Sequence, residues 1–144
     1  MNTISQVSAF IENRPGMLRE ILGILSEEGI NLRALNVAEN EDYGILRIIP
    51  DDIEKTMRVL KSNEYLVSEI QVCAIEVPDK PGGLEKLLEK LAADNVDIQY
   101  MYSVFAFKDG KAYMVISAKD VMVLSKSVEK NNIATADKET LGIR

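Results

Sequence analysis

Val7, Ala9 and Ile11 alternate with Gln6, Ser8 and Phe10, the period-two pattern of a strand with one buried face. A Pro-Gly pair then breaks the alternation. Beyond it Leu18, Ile21, Leu22 and Leu25 fall at i, i+3, i+4 and i+7, the apolar stripe of an amphipathic helix packed on a sheet. Pro15 suits the first turn of that helix, where a missing N–H costs nothing, and Gly29 suits its C-terminal cap. Strands are expected from Ile30 to about Glu39 and from Gly44 to Ile49, with turn chemistry in Asn40-Glu41-Asp42. A second helix, Asp51 to Lys61, carries Ile53, Met57 and Leu60 on one face, and a last strand begins near Tyr65.

The whole pattern then recurs. Asn13-Arg14-Pro15-Gly16-Met17-Leu18 returns as Asp79-Lys80-Pro81-Gly82-Gly83-Leu84, an offset of 66 residues. The same shift lays Leu22 on Leu88, Leu25 on Leu91 and Asn31 on Asp97, with Asn95 near the place of Gly29. Downstream the offset grows to 68, so an insertion of two residues is expected near Lys108-Asp109-Gly110, at the tip of a longer hairpin. The second copy ends with a helix from Lys119 to about Lys130 and a strand near Ile133. Each copy therefore reads β-α-β-β-α-β, the order of ferredoxin-like folds. The expected fold class is α+β: two tandem ferredoxin-like units with antiparallel sheets, each with two helices on one face, spanning residues 1–70 and 71–144. From Tyr65 to Val77 there is no Gly, Pro, Asn or Asp, so one strand is expected to run from the first unit into the second.

Composition narrows the chemistry. The 144 residues hold 17 basic and 23 acidic side chains, a net charge of −6, with no histidine and one cysteine. Without histidine the commonest proton shuttle and metal ligand is missing. A lone Cys73, alternating with Ile75 and Val77, reads as a buried thiol in a reducing compartment. The acidic balance gives no electrostatic footprint for nucleic acid or an anionic membrane. Tyr100, Tyr102, Phe105, Phe107 and Tyr113 read as sheet packing rather than a base-stacking platform. No signal peptide, spanning segment, paired carboxylates, Ser-His arrangement or Walker-type loop is visible, so catalytic residues, metal ligands and cofactors are not expected. The expected location is the cytoplasm.

Glu12-Asn13-Arg14-Pro15-Gly16-Met17-Leu18, a helix, and then Gly29-Ile30-Asn31-Leu32 closely resembles the ACT domain. That is the small-molecule regulatory module of aspartate kinases, phosphoglycerate dehydrogenases and the small subunits of acetohydroxyacid synthase. The resemblance covers nearly the whole chain, twice, and implies a stand-alone tandem regulatory protein that binds a free L-amino acid. It carries Asn13 and Asn31 onto the two asparagines with which ligand-binding members hold the amino acid, and it places the ligand at the interface between modules. Ile11 stands where serine-binding phosphoglycerate dehydrogenases commonly have histidine, which weighs against serine. The residues supply a physical reason for ligand binding. A loop entering a helix through Arg14-Pro15-Gly16-Met17-Leu18 aims free N–H groups outward at the positive end of the helix dipole, a place for a carboxylate. Asn31 is expected beside the same loop. A second possible site is Asp79, Lys80, Gly82, Gly83, Leu84 and Asp97, although Asp79 would repel a carboxylate.

The leading expectation is a non-catalytic sensor that regulates a metabolic enzyme in trans, or its own association as a homodimer. The alternative is a structural interaction module with a degenerate ligand site.

Overall fold

The computed structural model describes residues 2–105 and 111–144. The expected turn at Lys108-Asp109-Gly110, with its insertion and Phe107, lies outside the described residues. In chain order the elements are β1 (Ile4–Glu12), α1 (Met17–Glu27), β2 (Leu32–Glu39), β3 (Tyr43–Pro50), α2 (Ile53–Ser62) and β4 (Val67–Val77). They continue as α3 (Gly83–Ala93), β5 (Ile98–Ser103), β6 (Ala112–Ala118), α4 (Val121–Lys130) and the short α5 (Lys138–Leu141). This is the β-α-β-β-α-β order twice. β4 is one uninterrupted strand, as the lack of turn residues from Tyr65 to Val77 implied.

Two compact units emerge, and both are discontinuous in sequence. The first consists of Ser5–Ile70 with Gly142–Arg144; the second consists of Gln71–Leu141 with Met1–Ile4.

In the first unit β1 and β2 both pair antiparallel with β3, Val7 facing Ile48 and Leu35 facing the same residue from the other side. Leu66, just before β4, takes the N–H of Phe10 on its carbonyl at 3.0 Å. Alternation then sends Val7, Ala9, Ile11, Leu46 and Ile48 to one face, where they meet Ile21, Leu25, Ile53 and Leu60 of the helices. The buried stripe of α1 is Met17, Ile21 and Leu25, with Leu18 and Leu22 only partly covered. The sequence stripe was thus rotated slightly toward solvent relative to the real one.

The second unit repeats this arrangement around Cys73, Ile75, Leu91, Ile116, Leu124 and Val128. β6 pairs with β4 on one side and β5 on the other. Its last strand has shrunk to a bridge between Thr135 and Ile75, held by Glu76 N–H on Ala134 (2.8 Å) and Ala136 N–H on Ala74 (2.8 Å). Tyr102 and Tyr113 are buried, and Tyr100 stacks on Tyr102 with centroids 6.4 Å apart, so these three pack within a sheet, whereas Phe105, past the end of β5, is 56% exposed.

All four long helices stop in the same way. In α1 the N–H of Ile30 reaches Leu25 O and that of Gly29 reaches Ser26 O, both at 3.0 Å. The pair is a Schellman motif, which requires a left-handed residue and an apolar contact behind it. Gly29, Glu64, Asn95 and Asn132 supply the positive φ, and Leu25–Ile30, Leu60–Tyr65, Leu91–Val96 and Val128–Ile133 supply the equivalent apolar pairs. Helices α2 and α4 start on aspartate caps, Asp52 and Asp120.

One further clamp ties α3 to α4. Asp94 accepts from Ser127 Oγ (2.6 Å), Lys130 Nζ (2.7 Å) and Asn131 Nδ2 (2.9 Å). Led by the Lys130 bond, these donors hold its carboxyl down from 3.8 to about 2. A depressed carboxyl stabilises the fold above its unfolded pKa and stops doing so as pH falls through the folded one. Asp94→Asn is expected to lower the thermal midpoint near neutral pH, and the deficit against wild type should shrink as pH falls from 3.8 toward 2. Thermal melts of both proteins across that range measure it.

Candidate functional site

The chain leaves β1 through a tight turn. Arg14-Pro15-Gly16-Met17 is closed by Met17 N–H on Arg14 O at 3.3 Å, with Gly16 at φ 83°, ψ −5°. Proline second and left-handed glycine third make a type II turn. Pro15 therefore sits in the turn before the helix, not in its first turn as the sequence suggested. The turn needs a residue without Cβ at Gly16, and a side chain there would point into open space rather than into the protein. Helix α1 starts directly afterwards, Glu20 N–H donating to Gly16 O at 2.9 Å, and no side chain caps it. Its first-turn N–H groups, at Leu18 and Arg19, face the loop at the positive end of the helix.

Charged side chains ring this opening. Arg14 donates from Nε to Glu12 (3.0 Å) and from Nη2 to Glu20 (3.1 Å), and these two carboxylates raise the pKa of its guanidinium further. Tyr65 stands close enough that partial burial, with the charge of Glu20 adding to it, raises its hydroxyl pKa. Sequence reading missed Tyr65. Its only local signal was its place three residues past the end of α2, where the helix-ending motif puts an apolar body. Asn13 donates from Nδ2 to the carbonyl of Asn40 at 3.2 Å, so it pins the loop to the β2–β3 turn and leaves its Oδ1 as an acceptor.

Asn31 is elsewhere. β1 ends opposite Tyr43, at one end of β3, whereas β2 begins opposite Pro50, at the other. Seven strand residues separate these positions, roughly 23 Å. The expectation that Asn31 lies beside the loop fails, because β2 runs parallel to β1 and the helix between them carries the chain back across the sheet. Asn31 is instead tied to Asp51, just ahead of α2: its N–H donates to the Asp51 side-chain Oδ1 (3.1 Å) and its carbonyl accepts from Asp51 N–H (2.8 Å).

The second loop has the same skeleton. Lys80-Pro81-Gly82-Gly83 closes with Gly83 N–H on Lys80 O at 3.0 Å, and Gly82 has φ 80°. Gly83 differs from its counterpart Met17, since a Cβ there would meet the Pro78 carbonyl oxygen and force the backbone to shift. Leu84 is partly buried in the first turn, while Asp79, Lys80 and Gly82 are exposed. Asp97 lies at the far end, accepting from Lys119 N–H at 2.9 Å and lining an open groove with Asn95 and Asp120.

Two repeated loops, each a type II turn opening onto a helix, are thus the shared feature of both units. A family model described as an ACT domain pair matches residues 2–140. The chain belongs to that family. A crystal structure of a Bacteroides thetaiotaomicron protein superposes on the ACT pair with TM-score 0.88 at 35% identity, covering 98% of this chain and 96% of that one. The regulatory subunit of aspartate kinase from Thermus thermophilus shares the fold, with TM-score 0.59 at 14% identity over 90% of this chain and 91% of that one. Among curated sequences, a probable acetolactate synthase small subunit of Archaeoglobus fulgidus is 26% identical over 64% of this chain and 69% of its own length. One from Methanothermobacter thermautotrophicus is 30% identical over 49% of this chain, and the match spans only 44% of that relative. No described helix of the ACT pair is long and apolar enough to cross a membrane.

Cys73 is fully buried, and burial pushes its thiol up to about 11. A thiol reagent at mildly alkaline pH should therefore label the native ACT pair roughly a hundredfold more slowly than the unfolded chain. Gly16→Ala, which forces a Cβ onto a left-handed residue, is expected to cost about 1 kcal/mol in denaturant unfolding.

Proposed function

We propose that the ACT pair is a non-catalytic regulator that binds a free L-amino acid at the first unit's loop, Asn13 to Leu18. The observation that carries this reading is the helix start at Met17, which no side chain caps and which opens behind a Pro-Gly turn beside the Arg14 guanidinium. The N–H groups of Leu18 and Arg19 suit an α-carboxylate, with the helix dipole adding to their attraction. The ligand ammonium has Asn13 Oδ1 and the Glu12 carboxylate as acceptors at the rim. A free amino acid is far shorter than the separation between loop and Asn31, so the two do not hold one ligand within this unit. The second loop keeps the turn but places the Asp79 carboxylate where Asn13 stands. That repels a ligand carboxylate and makes it the weaker site.

Binding shifts a protein between states only by its differential affinity for them. We assign the readout to a partner metabolic enzyme, by analogy with relatives named as small or regulatory subunits, and to a homodimer of the ACT pair.

The test is a thermal melt of the full chain against a panel of L-amino acids at millimolar concentration. A ligand at 100 times its Kd adds roughly 2.7 kcal/mol, which for a chain of this size raises the midpoint by roughly 5–10 °C. At least one amino acid should do so, Arg14→Ala and Gly16→Ala should shrink the shift, and Asp79→Ala should leave it intact. A midpoint that no amino acid moves would leave the structural-module reading in its place.

A further inference from the structure

β2 begins with an irregularity at the end of the first unit far from the loop. Leu32 faces Pro50 and Ala34 faces Ile49, so Arg33 is an extra residue against β3. Such a bulge re-aims a side chain. The Nε of Arg33 is out of solvent and has no hydrogen-bond partner among the described residues. Nη2 has one weak acceptor, the carbonyl of Gly142 at 3.4 Å, near the limit of a hydrogen bond. Gly142 lies against the guanidinium with φ 70°, and a Cβ there would come within 2.6 Å of Nη2. Two residues on, Arg144 N–H donates to Asp51 O at 2.8 Å, and its own guanidinium lies 4.0 Å from Asp52.

We propose that Arg33 is a carboxylate-binding position, that Gly142–Arg144 covers it as an exchangeable strap, and that a small carboxylate and the strap exclude each other. The Nε and Nη2 protons of a guanidinium form a planar fork that matches the two oxygens of a carboxylate. Here that fork is half empty, and its other half holds a neutral carbonyl at long range. Burying the Nε proton without an acceptor is costly, and a bidentate pair with a carboxylate is stronger than the single long bond to a neutral carbonyl that it would replace. The neighbouring carboxylates do not fill the fork. Asp51 Oδ1 takes the Asn31 N–H and Asp52 Oδ1 takes the Lys55 N–H, each at 3.1 Å.

The second unit offers an internal comparison. Its β5 has the same irregularity between Ile98 and Tyr100, but the extra residue there is an exposed Gln99. The bulge therefore belongs to the shared fold, whereas the arginine with its unpartnered Nε, and the strap against it, are found in the first unit among the described residues. The strap turns on Gly142 and is held by the buried Ile143 side chain and the Arg144–Asp51 backbone bond, so its release exposes one apolar residue and breaks one short hydrogen bond. This site is independent of the loop reading, since it sits at the opposite end of β3.

The test uses NMR of the full chain, following the Arg33 Nε–H resonance and the exchange of the Arg144 amide. Sodium acetate is titrated at constant ionic strength, with chloride and inorganic phosphate as parallel arms. Acetate should shift the Arg33 resonance saturably and speed Arg144 exchange roughly tenfold at saturation, as the strap-docked population falls. Gly142→Val, whose strap cannot dock, should bind acetate roughly several-fold more tightly because the competing state is removed. Arg33→Gln, the residue of the second unit, should show no acetate-dependent change in Arg144 exchange, and Gly16→Ala should show both responses. An Arg33 resonance indifferent to acetate in wild type and in Gly142→Val alike would overturn the binding position. A shift without faster Arg144 exchange would overturn the exclusion, and phosphate matching acetate would overturn the carboxylate assignment.

Discussion

A left-handed glycine between strand and helix, Gly16 in one repeat and Gly82 in the other, is the constraint on which the rest of this molecule turns. Gly16 and Gly82 let the chain reverse within a single type II turn, so that a helix begins immediately where a strand has ended. Because the turn consumes the residues that would otherwise cap the helix, its first N–H groups stay unclaimed by any side chain. That one local geometry sets the direction of α1 and α3 over their sheets. It also decides which apolar stripe faces the strands, and it creates the opening assigned to the ligand.

The duplicated units show how far a shared backbone can carry different chemistry. Turn, Schellman stop, aspartate cap and β-bulge all occur at matched positions in both; all but the cap, which needs the Asp52 or Asp120 carboxylate, depend on main-chain hydrogen bonds that many side chains tolerate. The side chains have then diverged. Asn13 answers Asp79, and Arg33 answers Gln99. In the first unit these substitutions place a bonded asparagine at the loop and an under-satisfied guanidinium beneath a strap. In the second they place an exposed carboxylate and an exposed amide. Both of the proposed anion positions therefore lie in the first unit.

Most of the fold was legible in the sequence because its signals are local and were written twice. The Leu stripes, the Pro-Gly pairs, and Gly29 and Asn95 at helix ends each follow from the residues' own stereochemistry. The errors fall where a feature depends on something distant. Pro15 was taken into the helix because turn and first-turn proline look alike locally, and only the Met17–Arg14 hydrogen bond separates them. The pattern predicts a last strand of the second unit beginning near Ile133, where the structure has an isolated bridge of Thr135 to Ile75.

The candidate site shows the same division. From Asn13 to Leu18 the loop was readable because its residues are adjacent in the chain. Asn31 was drawn to it by motif spacing alone, and strand register sent it to the opposite end of β3. Tyr65 and the strap at Gly142–Arg144 had no sequence signal of ligand chemistry, since their relation to Glu20 and Arg33 spans many residues. By itself, then, the sequence determined the repeat, the element order, the turns and caps, and the buried state of Cys73, all of which rest on short-range periodicity and backbone preference. Only the tertiary structure decided which ends of the strands come together. That choice is made by hydrogen-bond register between segments far apart in the chain, where a shift of one residue turns every side chain to the other face.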